Sequence, residues 1–194
     1  MFNGIIYKTG RISKINKNNN YSEIVIKTDY KFEKSEIGSS LCCNGTCLTV
    51  TKIQHNFISF YLSKETLKRT NYSSAKIGDF INIEKSLTYG NKISGHYVQG
   101  HVDTTGFVSN IKVIDKTWIV TFKIPNIYKK FLIEKASISI NGVSLTISDI
   151  IKNNFKINII PHTLKLTNLI KLKKNTQVNI EFDIFGKYLL NIRK

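Results

Sequence analysis

The sequence predicts an all-β protein built as two tandem six-stranded Greek-key β-barrels related by internal duplication, plus a short C-terminal helix. Three observations carry this expectation. First, the chain repeats itself in register. Asn44-Gly45-Thr46-Cys47-Leu48-Thr49-Val50 returns 97 residues later as Asn141-Gly142-Val143-Ser144-Leu145-Thr146-Ile147, and Glu65 to Asn71 returns as His162 to Asn168. Phe80-Ile81-Asn82-Ile83-Glu84 matches Gln177-Val178-Asn179-Ile180-Glu181, and Gly4 to Ile15 matches Gly100 to Ile111, with Gly10 on Gly106. Second, this period is far longer than the roughly 20 to 50 residues of a solenoid unit, so each copy is a domain with its own core. Third, the segments are short and β-branched, and closing them into a barrel removes exposed edges.

In order along the chain, Ile24-Val25-Ile26 and Ile119-Val120-Thr121-Phe122 are β-branched runs. Phe57 to Leu62 and Phe155 to Ile160 partly alternate between apolar and polar, as half-buried strands do. Between Leu41-Cys42-Cys43 and Cys47 to Val50 sits Asn44-Gly45, a pair that accepts positive φ and predicts a tight hairpin; Asn141-Gly142 does the same in the second half. Short helical turns are expected near Glu65 and His162, with another opening at Pro125-Asn126. In the tail, Ile184 to Ile192 carries apolar residues at helical spacing despite Gly186. The glycine-containing stretch Tyr89 to Gly95 marks the division, giving domains over 1–92 and 93–183 and a helix over 184–194.

Composition narrows the class. The 194 residues are 41% hydrophobic and 11% aromatic, ordinary for globular protein, and no run approaches the roughly 20 apolar residues of a membrane span. The N-terminus lacks the basic-then-apolar pattern of a signal peptide, so a cytoplasmic, membrane-free protein is expected. Three cysteines, two of them adjacent, suit a reducing compartment. Cys43 and Cys47 have a spacing that begins zinc sites, but a second half-site is lacking and no metal is expected. The net charge of +16 raises a polyanion partner. The lysines, however, are scattered among many Asn and Ile, which reads as compositional drift on solvated faces, and no nucleic acid is expected.

Five segments carry a resemblance: Met1 to Ile6, Cys43 to Val50, Gly95-His96-Tyr97-Val98-Gln99-Gly100-His101-Val102-Asp103, Ile140 to Thr146, and Ile160-Pro161-His162-Thr163-Leu164. In this order they resemble the signature segments of the riboflavin synthase family, and the likeness covers essentially the whole chain. It implies a cofactor-free transferase reaction in which one 6,7-dimethyl-8-ribityllumazine gives a four-carbon unit to a second, yielding riboflavin and 5-amino-6-ribitylamino-2,4-pyrimidinedione. It further implies a homotrimer, each site holding two lumazines between the N-terminal barrel of one subunit and the C-terminal barrel of its neighbour. Docking to lumazine synthase is an additional partner the resemblance admits. Asn3 stands where the family usually has threonine, and a short tail helix implies a weaker trimer.

A reaction between two identical molecules needs two similar facing pockets, and orientation then supplies much of the rate. The C7 methyl of the lumazine is acidic by conjugation, so hydroxyls, a thiol and backbone amides beside a glycine turn are sufficient to steady the anion. The resemblance places Cys47, Leu48 and Thr49 in the N-terminal pocket with Tyr61, Leu62, Ser63, Lys64, Glu65 and Thr66. In the C-terminal half it places Ser144, Leu145 and Thr146 with Asn158, Ile159, Ile160, Pro161, His162 and Thr163, and from the first strand Gly4, Ile5 and Ile6. Further contacts fall on Gly100, His101, Val102 and Lys135, and a polar role on Asp183. Catalytic roles are expected for Cys47, Thr49, His101, Ser144, Thr146 and Asp183.

The copies differ where chemistry needs asymmetry. Cys47 corresponds to Ser144, His101 to Ile5 and Glu65 to His162; a thiol is more acidic than a hydroxyl, and imidazole exchanges protons near neutrality. On this reading Cys47 and His101 serve the molecule that is attacked, and Ser144 and Thr146 its partner. The duller reading makes Cys47 and Ser144 small core residues, Thr49 and Thr146 strand formers, His96 and His101 surface histidines, Lys135 a solvated lysine and Asp183 a helix cap. The alternative function is a non-catalytic lumazine- or flavin-binding protein of the same fold.

Overall fold

The computed structural model describes residues 1–192; Arg193 and Lys194, the end of the expected tail segment, lie outside the described residues. Twelve strands form the body, six in each half. The first six are β1 (Lys8–Lys17), β2 (Tyr21–Thr28), β3 (Ser40–Cys43), β4 (Thr46–Gln54), β5 (Phe57–Ser63) and β6 (Phe80–Lys85). The second six are β7 (Thr104–Ile114), β8 (Thr117–Lys123), β9 (Ser137–Ile140), β10 (Val143–Ile151), β11 (Asn154–Ile159) and β12 (Gln177–Phe182). Each set closes into an antiparallel barrel, β1-β2-β5-β4-β3-β6 and β7-β8-β11-β10-β9-β12, so the order of strands is the same in both. Short helices α1 (Lys64–Arg69) and α2 (Pro161–Leu166) follow β5 and β11, a 3-10 turn covers Asn126–Phe131, and α3 (Ile184–Ile192) follows the second barrel. The all-β duplicated architecture and the tail helix are as the sequence predicts.

Closure of so small a barrel requires bent strands, and the bends recur at equivalent places. The register shifts between Ile12 and Lys14 on β1 and between Val108 and Asn110 on β7. The bulged residues Ser13 and Ser109 donate their hydroxyls to the carbonyls of Val25 and Thr121. A second pair of bulges, on β4 and β10, is secured in the same manner by Thr51 to Ser59 and Ser148 to Lys156. Gly10 and Gly106 sit where a β-carbon would strike the core, 2.5 Å from Ile26 Cγ2 and 2.6 Å from Ile180 Cδ1 respectively. The interiors are aliphatic and aromatic: Ile12, Ile24, Ile26, Phe60 and Ile83 in the first barrel; Val108, Val120, Phe122, Phe155 and Ile180 in the second.

The two Asn-Gly turns meet where the barrels join. Asn44 and Asn141 share φ 48° and Gly45 and Gly142 have φ 77° and 80°, the conformation a two-residue hairpin demands. The turns pack against each other so closely that a β-carbon on Gly45 would lie 2.7 Å from Gly142 N, and the reverse holds equally. Asn44 Oδ1 accepts from Asn82 N and Asn141 Oδ1 from Asn179 N, both at 2.8 Å. Across the junction, Asn82 Nδ2 donates to Asn141 O at 2.9 Å and Asn179 Nδ2 to Asn44 O at 2.8 Å. Both side chains are fully buried, and their paired bonds trace a pseudo-twofold axis.

The N-terminal segment does not stay with its own barrel. Ile6 is part of the second barrel's core, and Phe2 forms an isolated antiparallel bridge with Val98, donating at 2.8 Å and accepting at 3.1 Å. Residues 2–3 and 96–98 thus run antiparallel side by side, and beyond them the two segments part, Gly4 to bond Ser144 in the second barrel and Gly100 to bond Cys47 in the first.

Candidate active site

Two outward-facing patches emerge at equivalent places. On β4, alternation turns Leu48 and Val50 inward and leaves Cys47 half-buried and Thr49 exposed; on β5 it buries Leu62 and exposes Tyr61 and Ser63. On β10, Ser144 is half-buried and Thr146 exposed, while on β11 Ile159 is buried and Asn158 exposed, as is Ile160 just past the strand. Leu62 and Ile159, both predicted as contacts, are fully buried core residues, so only their backbone borders the patches. Tyr61 stacks on Tyr21 with ring centroids 4.9 Å apart, forming an aromatic wall beside the first patch. Ser63 caps α1, its hydroxyl accepting from Thr66 N, and Glu65 pairs with Arg69 on the exposed face of that helix. Lys64, Pro161 and His162 are exposed at the starts of α1 and α2, and Thr163 is half-buried.

The crossed segments complete each patch. Cys47 N donates to Gly100 O at 2.7 Å, and a β-carbon on Gly100 would lie 2.7 Å from Cys47 Cβ, so His101 and Val102 follow directly beside the first patch. Ser144 N donates to Gly4 O at 2.8 Å, with the same 2.7 Å approach to Ser144 Cβ, which brings Ile5 and Ile6 beside the second. Lys135 is exposed, in a positive-φ turn whose amide donates to Ile147 O next to Thr146. Asp183 accepts from Phe185 N at the start of α3 and also lies close enough to His96 to favour its protonated form.

These bonds correct one expectation. The backbone amides beside the glycine turns do not face the patches: Gly45 and Gly142 are back to back at the barrel junction, and the Cys47 and Ser144 amides are committed to Gly100 and Gly4. The polar groups left free to face a ligand at the patches are therefore side chains.

A candidate residue emerges outside the predicted site set, one that sequence reasoning placed within a signature segment with the surface as its duller reading. His96 is buried, 8% exposed, and its Nδ1 lies 2.7 Å from Ser144 Oγ, while its Nε2 has no hydrogen-bond partner among the described residues. Burial pushes its pKa down from the usual imidazole range, partly offset by Asp183, which favours the neutral ring. His96 lies ahead of the matched blocks of the second copy, which open at Gly100, so register alone held no signal for it. A cleft of about 440 Å³ opens elsewhere, at the barrel junction near Asn71, Asn168 and Phe80, and includes none of the predicted site residues.

Comparison with known proteins accords with this geometry. The family model described as lumazine binding domain matches twice, over residues 3–86 and 99–183. Riboflavin synthase of Photobacterium leiognathi is 38% identical over 100% of this chain and 89% of its own length. Riboflavin synthase of Escherichia coli (strain K12) is 37% identical, covering 94% of this chain and 87% of that one. Among solved structures, LumP complexed with riboflavin superposes with a TM-score of 0.84 at 28% identity, over 94% of this chain and 99% of that chain. LumP complexed with 6,7-dimethyl-8-(1'-D-ribityl) lumazine gives 0.81 at 29% identity, over 93% and 98%. With two matched lumazine binding domains and full-length relatives above 30% identity, the chain belongs to the riboflavin synthase family.

Proposed function

We propose that the chain catalyses transfer of a four-carbon unit between two molecules of 6,7-dimethyl-8-ribityllumazine, giving riboflavin and the pyrimidinedione without a cofactor. The observation that carries this reading is the Ser144–His96 pair beside a patch whose duplicate offers Cys47 and His101 instead. Two patches of one architecture suit two copies of one substrate, and their unlike polar groups suit unlike roles. At the second patch the neutral His96 imidazole, through Ser144, takes the proton from the acidic C7 methyl of the donor, assisted by Thr146 and by Asp183 near the ring. At the first, Cys47, Thr49 and His101 steady the nucleophile added at C7 of the acceptor. Tyr61 to Thr66 and Asn158 to Thr163 border ring and ribityl chain, with Gly4 to Ile6, Leu48, Gly100, Val102, Lys135 and Leu145 completing the rims.

Both patches are open on the outside of their barrels, so a lumazine on either leaves one ring face free. We take the facing half to come from a neighbouring subunit of a trimer, where the second ring stacks within attack distance. The exposed apolar face of α3, with Phe185, Tyr188 and Leu189, suits such packing. A cytoplasmic setting fits the three unpaired cysteines.

The second reading, a ligand carrier, is favoured by the superposition on LumP. Incubation of purified protein with 6,7-dimethyl-8-ribityllumazine alone separates the two. The synthase reading expects one riboflavin and one pyrimidinedione per two lumazines consumed; lumazine that binds and persists makes the protein a carrier. Loss of most activity in Cys47→Ser with ligand binding retained supports the acceptor role of Cys47, and full activity overturns it.

A further inference from the structure

We infer that Glu84 and Glu181 are positioning residues with crossed reach: each stands on the last strand of its own barrel and fixes the rim of the other barrel's pocket. This rests on the pocket assignment proposed above. Glu181, on β12 of the second barrel, is 2% exposed; its Oε1 accepts from Gln99 N at 2.7 Å and its Oε2 from Gly100 N at 2.9 Å and His101 N at 3.1 Å. The segment so held hands the Gly100 carbonyl to Cys47 N, in the first barrel. Glu84, on β6 of the first barrel, is 8% exposed and accepts from Asn3 N at 2.8 Å and Gly4 N at 2.9 Å. That segment hands the Gly4 carbonyl to Ser144 N, in the second.

The chemistry calls for a carboxylate. An ionised carboxyl is acceptor only, with lone pairs enough for two or three N–H groups at once, whereas glutamine offers one oxygen and turns an N–H toward an N–H. A buried charge is costly, and a residue that merely filled space here would be apolar or amide. Both copies retain it, and both aim it at the segment crossing to the other barrel. The Phe2–Val98 bridge then ties the two rims together, with the buried Cys42 packed against it.

The same geometry makes the rims sensitive to pH. Burial pushes both carboxyls up to about 7 against the lowering effect of the N–H donors. Around Glu84 stand the Met1 amino group and the Cys42 thiol; around Glu181 stand Lys187, Asp103 and Cys42. Protonating one oxygen replaces an acceptor by a donor facing an amide, and the rim loosens.

The test is amide hydrogen exchange, with no ligand, on wild type, Glu84→Gln and Glu181→Gln. In Glu181→Gln the amides of Gln99, Gly100 and His101 exchange about tenfold faster or more while those of Asn3 and Gly4 hold; Glu84→Gln reverses the pattern. Lumazine binding is then read at each pocket separately, by protection of the Cys47 thiol and by quenching of Trp118, which lies opposite Ile159 on β8. Glu181→Gln weakens the first about tenfold and changes the second less than about twofold, and Glu84→Gln does the reverse. Equal loosening of both segments, or weakening of the pocket on the variant's own barrel, overturns the inference. Should a variant fail to fold, wild type decides. The N–H donors favour the ionised carboxyl, so freeing them while Glu181 stays buried raises its pKa further. Exchange of the 99–101 amides, corrected for intrinsic rate, must then rise as pH falls from about 8 to 6 even though global stability rises over the same range; a flat profile overturns crossed positioning. If exchange responds as expected but lumazine never binds, the positioning stands and the pocket reading falls.

Discussion

Replacing Asn82 by alanine strikes the barrel junction at its centre, and its consequence can be worked from the contacts. The side chain is fully buried and makes three bonds: Nδ2 to Asn141 O at 2.9 Å, Nδ2 to Asn168 Oδ1 at 2.9 Å, and Oδ1 from Asn168 N at 2.7 Å. Truncation leaves the Asn141 carbonyl and the Asn168 amide without this partner at the barrel junction. At about 1 to 3 kcal/mol for each of the two groups left unsatisfied, the expected loss is about 2 to 6 kcal/mol. That is a large part of the roughly 5 to 15 kcal/mol that holds a domain folded. At about 2 to 4 °C per kcal/mol for a chain of this size, Tm falls by about 4 to 24 °C. Scanning calorimetry is the assay, with Asn110→Ala on the exposed face of β7 as control, since surface changes cost about 0.5 kcal/mol or less. Splitting of one heat-absorption peak into two is the further signature, because the barrels keep separate cores and lose only their junction. A Tm for Asn82→Ala within about 2 °C of the control refutes the reasoning that these amides carry the junction.

Other outcomes follow from the same contacts. Gly45→Ala places a β-carbon 2.7 Å from Gly142 N in a positive-φ turn, so it destabilises by more than the roughly 1 kcal/mol of an ordinary strained glycine site, read by urea denaturation. His96→Gln lowers kcat about 100-fold with lumazine affinity changed less than about threefold; Ser144→Ala falls on the same scale, and the double variant falls no further, because the two act as a unit. Stability drops as pH rises from about 5 to 8: Glu84 and Glu181 titrate near 7 folded against 4.5 unfolded, so the folded state holds the extra protons between those values. Each contributes at most about 3 kcal/mol, fully present below 4.5 and lost through 7, and Gln at both positions flattens the profile. Among the three cysteines a maleimide labels Cys47 first, since Cys42 and Cys43 are buried with their thiols pushed upward, and mass mapping of the labelled peptide checks it.

Much of the fold was legible because β-structure repeats locally: β-branched runs, alternation and Asn-Gly turns are properties of short stretches, and duplication stated each of them twice. What the turns do was not. Positive φ at Asn44 and Asn141 is local, but their meeting at a pseudo-twofold axis depends on how two finished barrels dock. A signal for that docking did exist. Asn82 and Asn179, with Glu84 and Glu181, are identical between the copies on the strand face that alternates away from the core residues Ile81, Ile83, Val178 and Ile180, and a polar pair kept on an outward face is one that has found a partner. The alternation of β5 and β11 likewise says that Leu62 and Ile159 point inward, although both sit inside runs that border the patches. His96 was beyond this kind of reading because it lies outside the blocks that match between the copies.

The position of His96 bears on how a duplicated protein becomes asymmetric. Two barrels descended from one begin with equal pockets, and substitution within the pockets supplies part of the difference, Cys47 against Ser144. The larger difference comes from outside the repeat. The segment entering the second copy brings His96 against Ser144 before Val98 pairs with Phe2, and continues to deliver His101 beside Cys47. The N-terminal segment places Ile5 and Ile6 beside Ser144 instead. One stretch, residues 96–101, thus carries an imidazole toward each patch from opposite ends: one buried and bonded to a hydroxyl, the other exposed next to the glycine that holds Cys47. On the proposed reading, donor and acceptor chemistry can then diverge without any change in barrel architecture, because the residues that distinguish the pockets ride on a connector outside both sets of barrel strands, fixed there by Glu181 and the Phe2–Val98 bridge.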